Sequence, residues 1–122
     1  MKPLAEMGAK VEGTALPGKE AQYPPLTIHG GKLKAIDYTL PVASAQVKTC
    51  VLFGGLFAEG QTVVREAMQS RDHTELALRE FGADLKVSKC VITLQGQPTL
   101  TGRELLVPSD LSSAAFFLVA GL

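Results

Sequence analysis

Hydrophobic and polar residues alternate along this chain with two different periods, so the pattern predicts both strands and helices. Short stretches with alternating or β-branched apolar residues are typical of strands, and longer apolar segments with capping residues are typical of helices. The predicted strands are 24–29, 35–40, 62–66, 85–87, 90–94 and 104–107, and the predicted helices are 45–57, 72–81 and one that begins near 111. This mixture indicates an α+β (mixed α/β) fold, in which helices are layered against sheet.

Polar residues at the predicted helix starts supply the caps that helices need. Ser44 precedes the first helix, Asp110 precedes the last, and Asp72 followed by Glu75 forms a capping-box pattern. Beyond Lys48 the first helix is apolar on nearly every side, so we expect it to be buried all round. We expect Lys48 itself to extend along the surface and to keep its ammonium group in water.

The helical segments at the two ends of the sequence each lack the residues that usually mark one helix boundary. Residues 3–9 read as the last turns of a helix that ends at a glycine, without an N-cap. Residues 111–122 form an apolar run that stops without a polar tail. We therefore expect the sequence to be an internal part of a longer chain.

The sequence repeats itself with a period of about 66 residues. Residues 23–41 match residues 91–108, and similar apolar helices follow both segments. The helix ends MGAKVE at 7–12 and FGADLK at 81–86 also match. The repeat divides the chain into the end of one unit, one full unit and the start of the next, at about 1–22, 23–90 and 91–122.

Composition excludes several classes of protein. With 46% hydrophobic and 20% charged residues, the chain is too apolar for a disordered segment. Its 12 basic and 12 acidic residues give no net charge, which argues against a nucleic-acid binder. Its apolar runs are too short for a membrane span, so we expect no membrane partner. Cys50 and Cys90 are isolated and each is followed by apolar residues, which favours reduced core thiols and a cytoplasmic protein over a disulfide or a metal site.

Two polar segments are candidates for ligand chemistry. Ser44, Ala45 and Gln46 lie at the N-terminus of the first helix, where free backbone N–H groups and the helix dipole favour an anion. Ser70 and Arg71 precede the second helix, and an arginine fork at such a place suits a phosphate. The residues alone leave the plainer alternatives open, namely a capping serine with a surface glutamine, and a solvated loop.

Four specific motifs follow one another along the chain: LPVASAQVK at 40–48, GLFAEG at 55–60, SRDHTE at 70–75 and VPSDLSSAAF at 107–116. In this order they resemble the 5-enolpyruvylshikimate-3-phosphate synthase family, and the resemblance covers essentially the whole chain. A related enolpyruvyl transferase that acts on UDP-N-acetylglucosamine shares the fold and stays an alternative. The SAQVK and SRDHTE segments are similar to the shikimate enzyme instead.

The resemblance implies an inside-out α/β domain built from βαβαββ units, with helices inside and sheets outside. It places the chain in the first of the family's two domains. It also implies an enzyme of aromatic amino-acid biosynthesis, the target of glyphosate, which transfers the enolpyruvyl group of phosphoenolpyruvate to the 5-hydroxyl of shikimate 3-phosphate. These two substrates are the implied partners, and the implied reaction uses no metal and no cofactor.

The resemblance further implies which residues contact a substrate. The implied binding residues for shikimate 3-phosphate are Ser44, Ala45, Gln46, Ser70 and Arg71, with His73 added although some family members carry Tyr there. The family's N-terminal Lys-Ser-Arg segment, its Asn-x-Gly-Thr segment and its acid–base residues are absent, so no catalytic residue is assigned here. We therefore expect the chain alone to be inactive and to bind shikimate 3-phosphate weakly. The alternative is a structural unit that binds nothing alone, and in either case we expect self-association through the last helix.

Overall fold

The structure is a computed structural model, which describes residues 2–15, 17–18 and 22–122. The helices of this part of the chain are α1 (Lys2–Glu6), α2 (Ala45–Phe57), α3 (His73–Glu80) and α4 (Leu111–Ala120). Its strands are β1 (Lys10–Ala15), β2 (Gln22–His29), β3 (Asp37–Thr39), β4 (Gln61–Arg65), β5 (Leu85–Ser88) and β6 (Val91–Gln95). The elements confirm the predicted mixed α/β fold, and α2 coincides with the helix predicted at 45–57.

Four of the strands form the main sheet, in the order β3-β4-β6-β5. β3 pairs with β4 in parallel, whereas β6 is antiparallel to both β4 and β5. Side chains alternate between the two faces of a strand, so Thr62 and Val64 on β4 share one buried face with Ile92 and Leu94 on β6. β1 and β2 form a separate antiparallel pair.

The core lies between the buried face of the main sheet and the helices α2 and α3. Val51 and Leu52 come from α2 and are completely buried, and Leu78 comes from α3. Because these helices pack on the strands through apolar side chains, their N-termini are held at fixed places beside the sheet. This arrangement positions the polar residues that precede each helix.

The internal repeat is visible in the backbone. α1, β1 and β2 correspond to α3, β5 and β6, since in each piece a helix is followed by an antiparallel pair of strands. Gly8 and Gly82 follow the two helices with the same φ of 93°, a left-handed value that glycine adopts without strain. The residue before each glycine accepts an equivalent backbone hydrogen bond, from Lys34 at 3.0 Å and from Thr101 at 2.9 Å.

The structure contains one strand that the sequence analysis did not predict, and it lacks one that was predicted. Residues 10–15 form β1, which the sequence analysis did not predict because Gly13 and polar residues interrupt the apolar pattern of this largely exposed strand. Residues 104–107 were expected to form a strand, but they have no regular structure. The equivalent segment of the first piece is β3, which exists because it pairs with β4, the strand that follows α2. No strand follows α4 in the described part of the chain, so 104–107 has no such partner.

The prediction that α2 is buried all round is wrong. The side that carries Val51 and Leu52 faces the core, whereas Phe53 is 51% exposed and Phe57 is 74% exposed. The sheet, α1 and the start of α3 cover only part of the surface of this helix. A continuous apolar pattern therefore marked a helix correctly but overestimated how much of its surface the neighbouring elements cover.

Candidate functional site

The N-termini of α2 and α3 open onto the same pocket, which has a volume of about 340 Å³. Its lining consists of Ala45, Gln46, Thr49, Arg71, His73 and Thr74. Each helix N-terminus presents backbone N–H groups without an intrahelical acceptor, together with the positive end of the helix dipole. Two such ends at one pocket create an environment that favours an anion.

The start of α2 is organised by Ser44. Its carbonyl accepts the N–H of Lys48 at 3.0 Å, and its hydroxyl oxygen accepts the N–H of Val47 at 3.4 Å, so Ser44 is the predicted N-cap. The same hydroxyl donates to Oε1 of Gln46 at 3.2 Å. The peptide N–H groups of Ala45 and Gln46, in the first turn, precede these bonds and have no acceptor within the helix.

The start of α3 differs from the capping box that the sequence predicted. The Asp72 carbonyl accepts the N–H of Leu76 at 3.0 Å, but the Asp72 side chain makes no capping hydrogen bond. Glu75 does not reach back to the N-cap either, because its carboxylate pairs with Lys48 at 2.6 Å. The N–H groups of the first turn of α3 are therefore not satisfied by a capping side chain.

Arg71 supplies the positive charge of the pocket. Its side chain is exposed, and within the described part of the chain no hydrogen bond or ion pair engages its guanidinium group. Guanidinium offers five N–H donors in a planar fork that matches two oxygens of a phosphate. His73, also exposed, adds a ring nitrogen donor or acceptor at the same pocket.

A buried ionic cluster lies behind the pocket lining. Nζ of Lys48 is 2.6 Å from Oε1 of Glu75 and 3.2 Å from Oε2 of Glu66, and each of the three side chains is at most 3% exposed. The Ser70 hydroxyl donates to Oε1 of Glu66. The expectation that Lys48 lies on the surface is wrong, because two carboxylates from other elements compensate its charge inside the protein.

The structure brings together four of the six predicted site residues. Ala45, Gln46, Arg71 and His73 all line the pocket. Ser44 and Ser70 lie one step behind the lining, where Ser44 caps α2 and Ser70 bonds to the buried cluster.

Two threonines of the lining were missed by the sequence analysis. The hydroxyls of Thr49 and Thr74 are 2.7 Å apart and bridge the two helices at the pocket. Thr49 lies four residues after Ala45 on one helical face, and this spacing was a signal that could have identified it.

A second, larger pocket adjoins the first. It has a volume of about 610 Å³ and is lined by Arg71, His73, Leu76 and the segment 107–110. Asp110 at its edge caps α4, since its carboxylate accepts the Ser112 N–H at 2.9 Å and the Ser113 hydroxyl at 2.5 Å. These bonds, with that of Ser113 the largest cause, hold the pKa of Asp110 below its ordinary value. Asp110 thus performs the capping role that its position predicted.

The described residues also bear on metal binding and on membrane insertion. They contain no group of three or more His, Cys, Asp or Glu side chains that could hold a metal ion. Cys50 and Cys90 are both half-buried free thiols. None of the helices in this part of the chain has the length and the hydropathy that crossing a bilayer requires.

The comparison with families and relatives is consistent over the whole chain. A family model described as EPSP synthase (3-phosphoshikimate 1-carboxyvinyltransferase) matches residues 1–122. The chain is 68% identical over 122 residues to the 3-phosphoshikimate 1-carboxyvinyltransferase of Solibacter usitatus, covering 100% of the chain and 28% of that protein. It is 53% identical over 120 residues to the enzyme of the same name from Citrifermentans bemidjiense, covering 98% of the chain and 27% of that protein. The chain thus spans just over a quarter of the length of these relatives.

Solved structures give the same picture. EPSP synthase from Acinetobacter baumannii superimposes with a TM-score of 0.84 at 51% identity, over 97% of this chain and 26% of that one. The enolpyruvyl transferase NikO from Streptomyces tendae superimposes with a TM-score of 0.63 at 22% identity, over 81% of this chain and 22% of that one. The similarity to NikO shows that the two proteins share a fold.

Proposed function

Because the chain belongs to the EPSP synthase family, we propose that it forms one wall of the substrate site of an enolpyruvyl transferase. The proposed reaction transfers the enolpyruvyl group of phosphoenolpyruvate to the 5-hydroxyl of shikimate 3-phosphate. One observation carries the proposal: the N-termini of α2 and α3 meet beside Arg71 at a single pocket. This is the chemistry that a phosphorylated, polyhydroxylated ligand requires.

Each lining residue has a role in the proposed binding of shikimate 3-phosphate. The phosphate lies against the Arg71 fork and the free N–H groups of the helix starts. The Gln46 amide is exposed and offers a donor and an acceptor to the ring hydroxyls. Ser44 acts on the ligand through Gln46, and Ser70 acts through the loop that carries Arg71. His73 completes the lining on the side of α3.

We propose that binding and chemistry are divided between this segment and the rest of the enzyme. The chain spans about 28% of the length of its Solibacter relative, and its sequence lacks the family's acid–base residues. Proton transfer needs a positioned acid and base, and closure of a second wall excludes water from the reaction. The segment alone therefore binds shikimate 3-phosphate weakly and does not turn it over.

Two alternatives remain distinct from this proposal. An enzyme acting on UDP-N-acetylglucosamine would share the fold, but the relatives at 68% and 53% identity are both named 3-phosphoshikimate 1-carboxyvinyltransferase. A structural unit without binding activity would share the fold and leave the pocket unused. The unpaired guanidinium of Arg71 supports binding, because its N–H donors at the pocket are free to bind two oxygens of a phosphate.

We propose the division into units at about 1–22, 23–90 and 91–122, with helices on the inside of the assembled domain. The two unpaired thiols support a reducing, cytoplasmic location. The exposed apolar surface of α4 supports self-association of the isolated chain.

The direct test of the proposed function is an amide NMR titration of the chain with shikimate 3-phosphate, with shikimate as the matched ligand control. We expect shifts at residues 44–46 and 70–74 with the phosphorylated ligand, and much smaller shifts with shikimate. A well-dispersed spectrum in which no amide moves would show that this segment is a scaffold without binding activity of its own.

A variant of Arg71 makes the same test residue-specific. Arg71→Ala removes the charged fork, so we expect the Kd for shikimate 3-phosphate to rise about tenfold or more, since a hydrogen bond to a charged group contributes about 1.5–3 kcal/mol. Arg103→Ala is the matched control, because Arg103 is exposed and does not line the pocket. Equal losses of affinity in the two variants would contradict a specific role for Arg71.

A further inference from the structure

We infer that Lys48 is a positioning residue, whose buried ammonium group holds the two halves of the candidate anion site at a fixed distance from each other. The inference rests on the proposed function, because it concerns the same pocket. Lys48 does not line that pocket, and neither of its carboxylate partners does. Lys48 therefore acts on the ligand indirectly, by fixing the positions of the lining residues on α2 and α3.

The burial of the cluster makes it a strong constraint. The side chains of Lys48 and Glu66 are each 1% exposed and that of Glu75 is 3% exposed. A charge removed from water is costly unless a charge of opposite sign compensates it. Any movement that separates Lys48 from its carboxylates leaves charges unpaired in the interior, so the three groups resist separation.

Lys48 is the centre of this cluster. One ammonium group contacts both carboxylates, at 2.6 Å and 3.2 Å. Oε2 of Glu75 is buried and has no hydrogen-bond partner among the described residues. Loss of the Lys48 charge would leave two acidic groups buried together, whereas loss of one carboxylate would leave an ion pair.

The cluster joins the segments that carry the pocket lining. Lys48 belongs to α2, Glu75 belongs to α3, and Glu66 directly follows β4. Glu66 also accepts the Ser70 hydroxyl, and Ser70 directly precedes Arg71. The start of α2, the start of α3 and the arginine loop are thus connected through a single ammonium group.

The sequence neighbours of the cluster are the residues that meet at the pocket. Thr49 follows Lys48 and Thr74 precedes Glu75, and their hydroxyls are 2.7 Å apart. The ion pair and the threonine bridge therefore join α2 to α3 at two successive positions. If the ion pair is lost, the threonine bridge and the spacing of the pocket walls should change together.

The test compares Lys48→Met with wild type in two measurements on the same NMR sample. Methionine keeps an unbranched side chain, one atom shorter than that of lysine, and removes the charge. The first measurement is the Kd for shikimate 3-phosphate, which we expect to rise about tenfold or more, since displaced donors make weaker hydrogen bonds to a charged ligand. The second needs no ligand: the nuclear Overhauser contacts between the side chains of Thr49 and Thr74, whose hydroxyls are 2.7 Å apart, which we expect to weaken or disappear.

Two further variants separate positioning from stability. Ser70→Ala removes only the hydroxyl that ties the arginine loop to Glu66. Glu75→Gln keeps an oxygen acceptor for Lys48 but removes the negative charge. Both variants change the cluster less than Lys48→Met does, so they serve in its place if Lys48→Met does not fold. Arg65→Met is the matched control, because it removes an exposed ion pair to Asp37 at 2.8 Å on the same sheet. We expect Arg65→Met to leave both the Kd and the threonine contact unchanged.

The outcomes distinguish this inference from the proposed function. If Lys48→Met, or Glu75→Gln where Lys48→Met does not fold, gives a dispersed spectrum, binds like wild type and keeps the threonine contact, the positioning role is overturned and Lys48 is only structural. If wild type itself does not bind, the proposed binding by this chain fails, and the threonine contact in the cluster variants still decides whether Lys48 sets the spacing. Weaker binding with loss of that contact, in cluster variants but not in Arg65→Met, supports the inference.

Discussion

Glu75 is a carboxylate with two possible partners, and burial decides between them. The first turn of its own helix offers backbone N–H groups, and α2 offers the ammonium group of Lys48 at 2.6 Å. The low dielectric of the interior strengthens the attraction between opposite charges more than it strengthens a capping bond. A residue that local sequence assigns to a helix end therefore joins two helices instead.

Asp110 is an exposed carboxylate, and it keeps the local role. It accepts hydrogen bonds from the Ser112 N–H and the Ser113 hydroxyl, which lower its pKa. The folded pKa lies below that of the unfolded chain, so the stabilising contribution is complete above the unfolded pKa and is lost as the pH falls through the folded pKa. The cap is therefore an acid-sensitive part of α4.

Acid titration tests this cap. We expect the amide signal of Ser112 to shift with the same midpoint as the Asp110 carboxyl carbon, and the first turn of α4 to lose protection from hydrogen exchange below that midpoint. Asp110→Asn should abolish the pH dependence and keep a weaker cap, because the amide oxygen can still accept a hydrogen bond. A Ser112 amide that does not respond while Asp110 titrates would refute the assignment.

Where α2 ends beside β6, the backbones of the two elements lie very close together. Gly96 follows β6, and its N–H donates to the Gly60 carbonyl at 2.8 Å. A Cβ atom at Gly96 would lie 2.0 Å from the Ala58 carbonyl oxygen, which is part of the C-cap of α2. Two rigid backbone segments therefore meet where only a glycine fits.

Substitution of this glycine should be costly. We expect Gly96→Ala to lower the free energy of unfolding by about 3 kcal/mol, because overpacking against backbone cannot be relieved by a side-chain movement. Urea unfolding measures the change. Gly102→Ala is the control, since nothing lies within 4 Å of a Cβ atom built there. Equal urea midpoints for the two variants would show that the backbone at Gly96 moves apart without cost.

On the scale of the whole molecule, apolar surface is distributed unevenly. α4 has no buried residue, and both Phe116 and Phe117 are 82% exposed. Its counterpart α2 has Val51 and Leu52 completely buried against the sheet. Exposed apolar surface of this kind favours association, so we propose that the isolated chain associates with a second copy through α4.

Sedimentation tests the expected self-association. We expect the wild-type chain to show a dimer or larger species whose fraction rises with concentration, and the double variant Phe116→Asp with Phe117→Asp to be monomeric. Leu106→Asp is the control, because Leu106 is 97% exposed but lies outside the helix. A wild-type chain that stays monomeric at high concentration would contradict the prediction.

The sequence by itself determined the elements whose signals are local. The N-cap Ser44 and the apolar run behind it predicted the full extent of α2, because helix formation depends on neighbours within four residues. The glycines at 8 and 82 marked equivalent helix ends for the same reason. The motifs around Ser44 and Arg71, through their resemblance to the family, also predicted four of the six residues that line the pocket.

Only the tertiary structure decided what depends on distant partners. β3 forms and 104–107 does not, because a strand requires another strand for its hydrogen bonds. Lys48 is buried because Glu66 and Glu75, from other elements, reach it and compensate its charge. Thr49 and Thr74 meet at the pocket because α2 and α3 pack on one sheet. The partners of these charges and hydroxyls lie on other elements of the fold, so packing decides which groups meet.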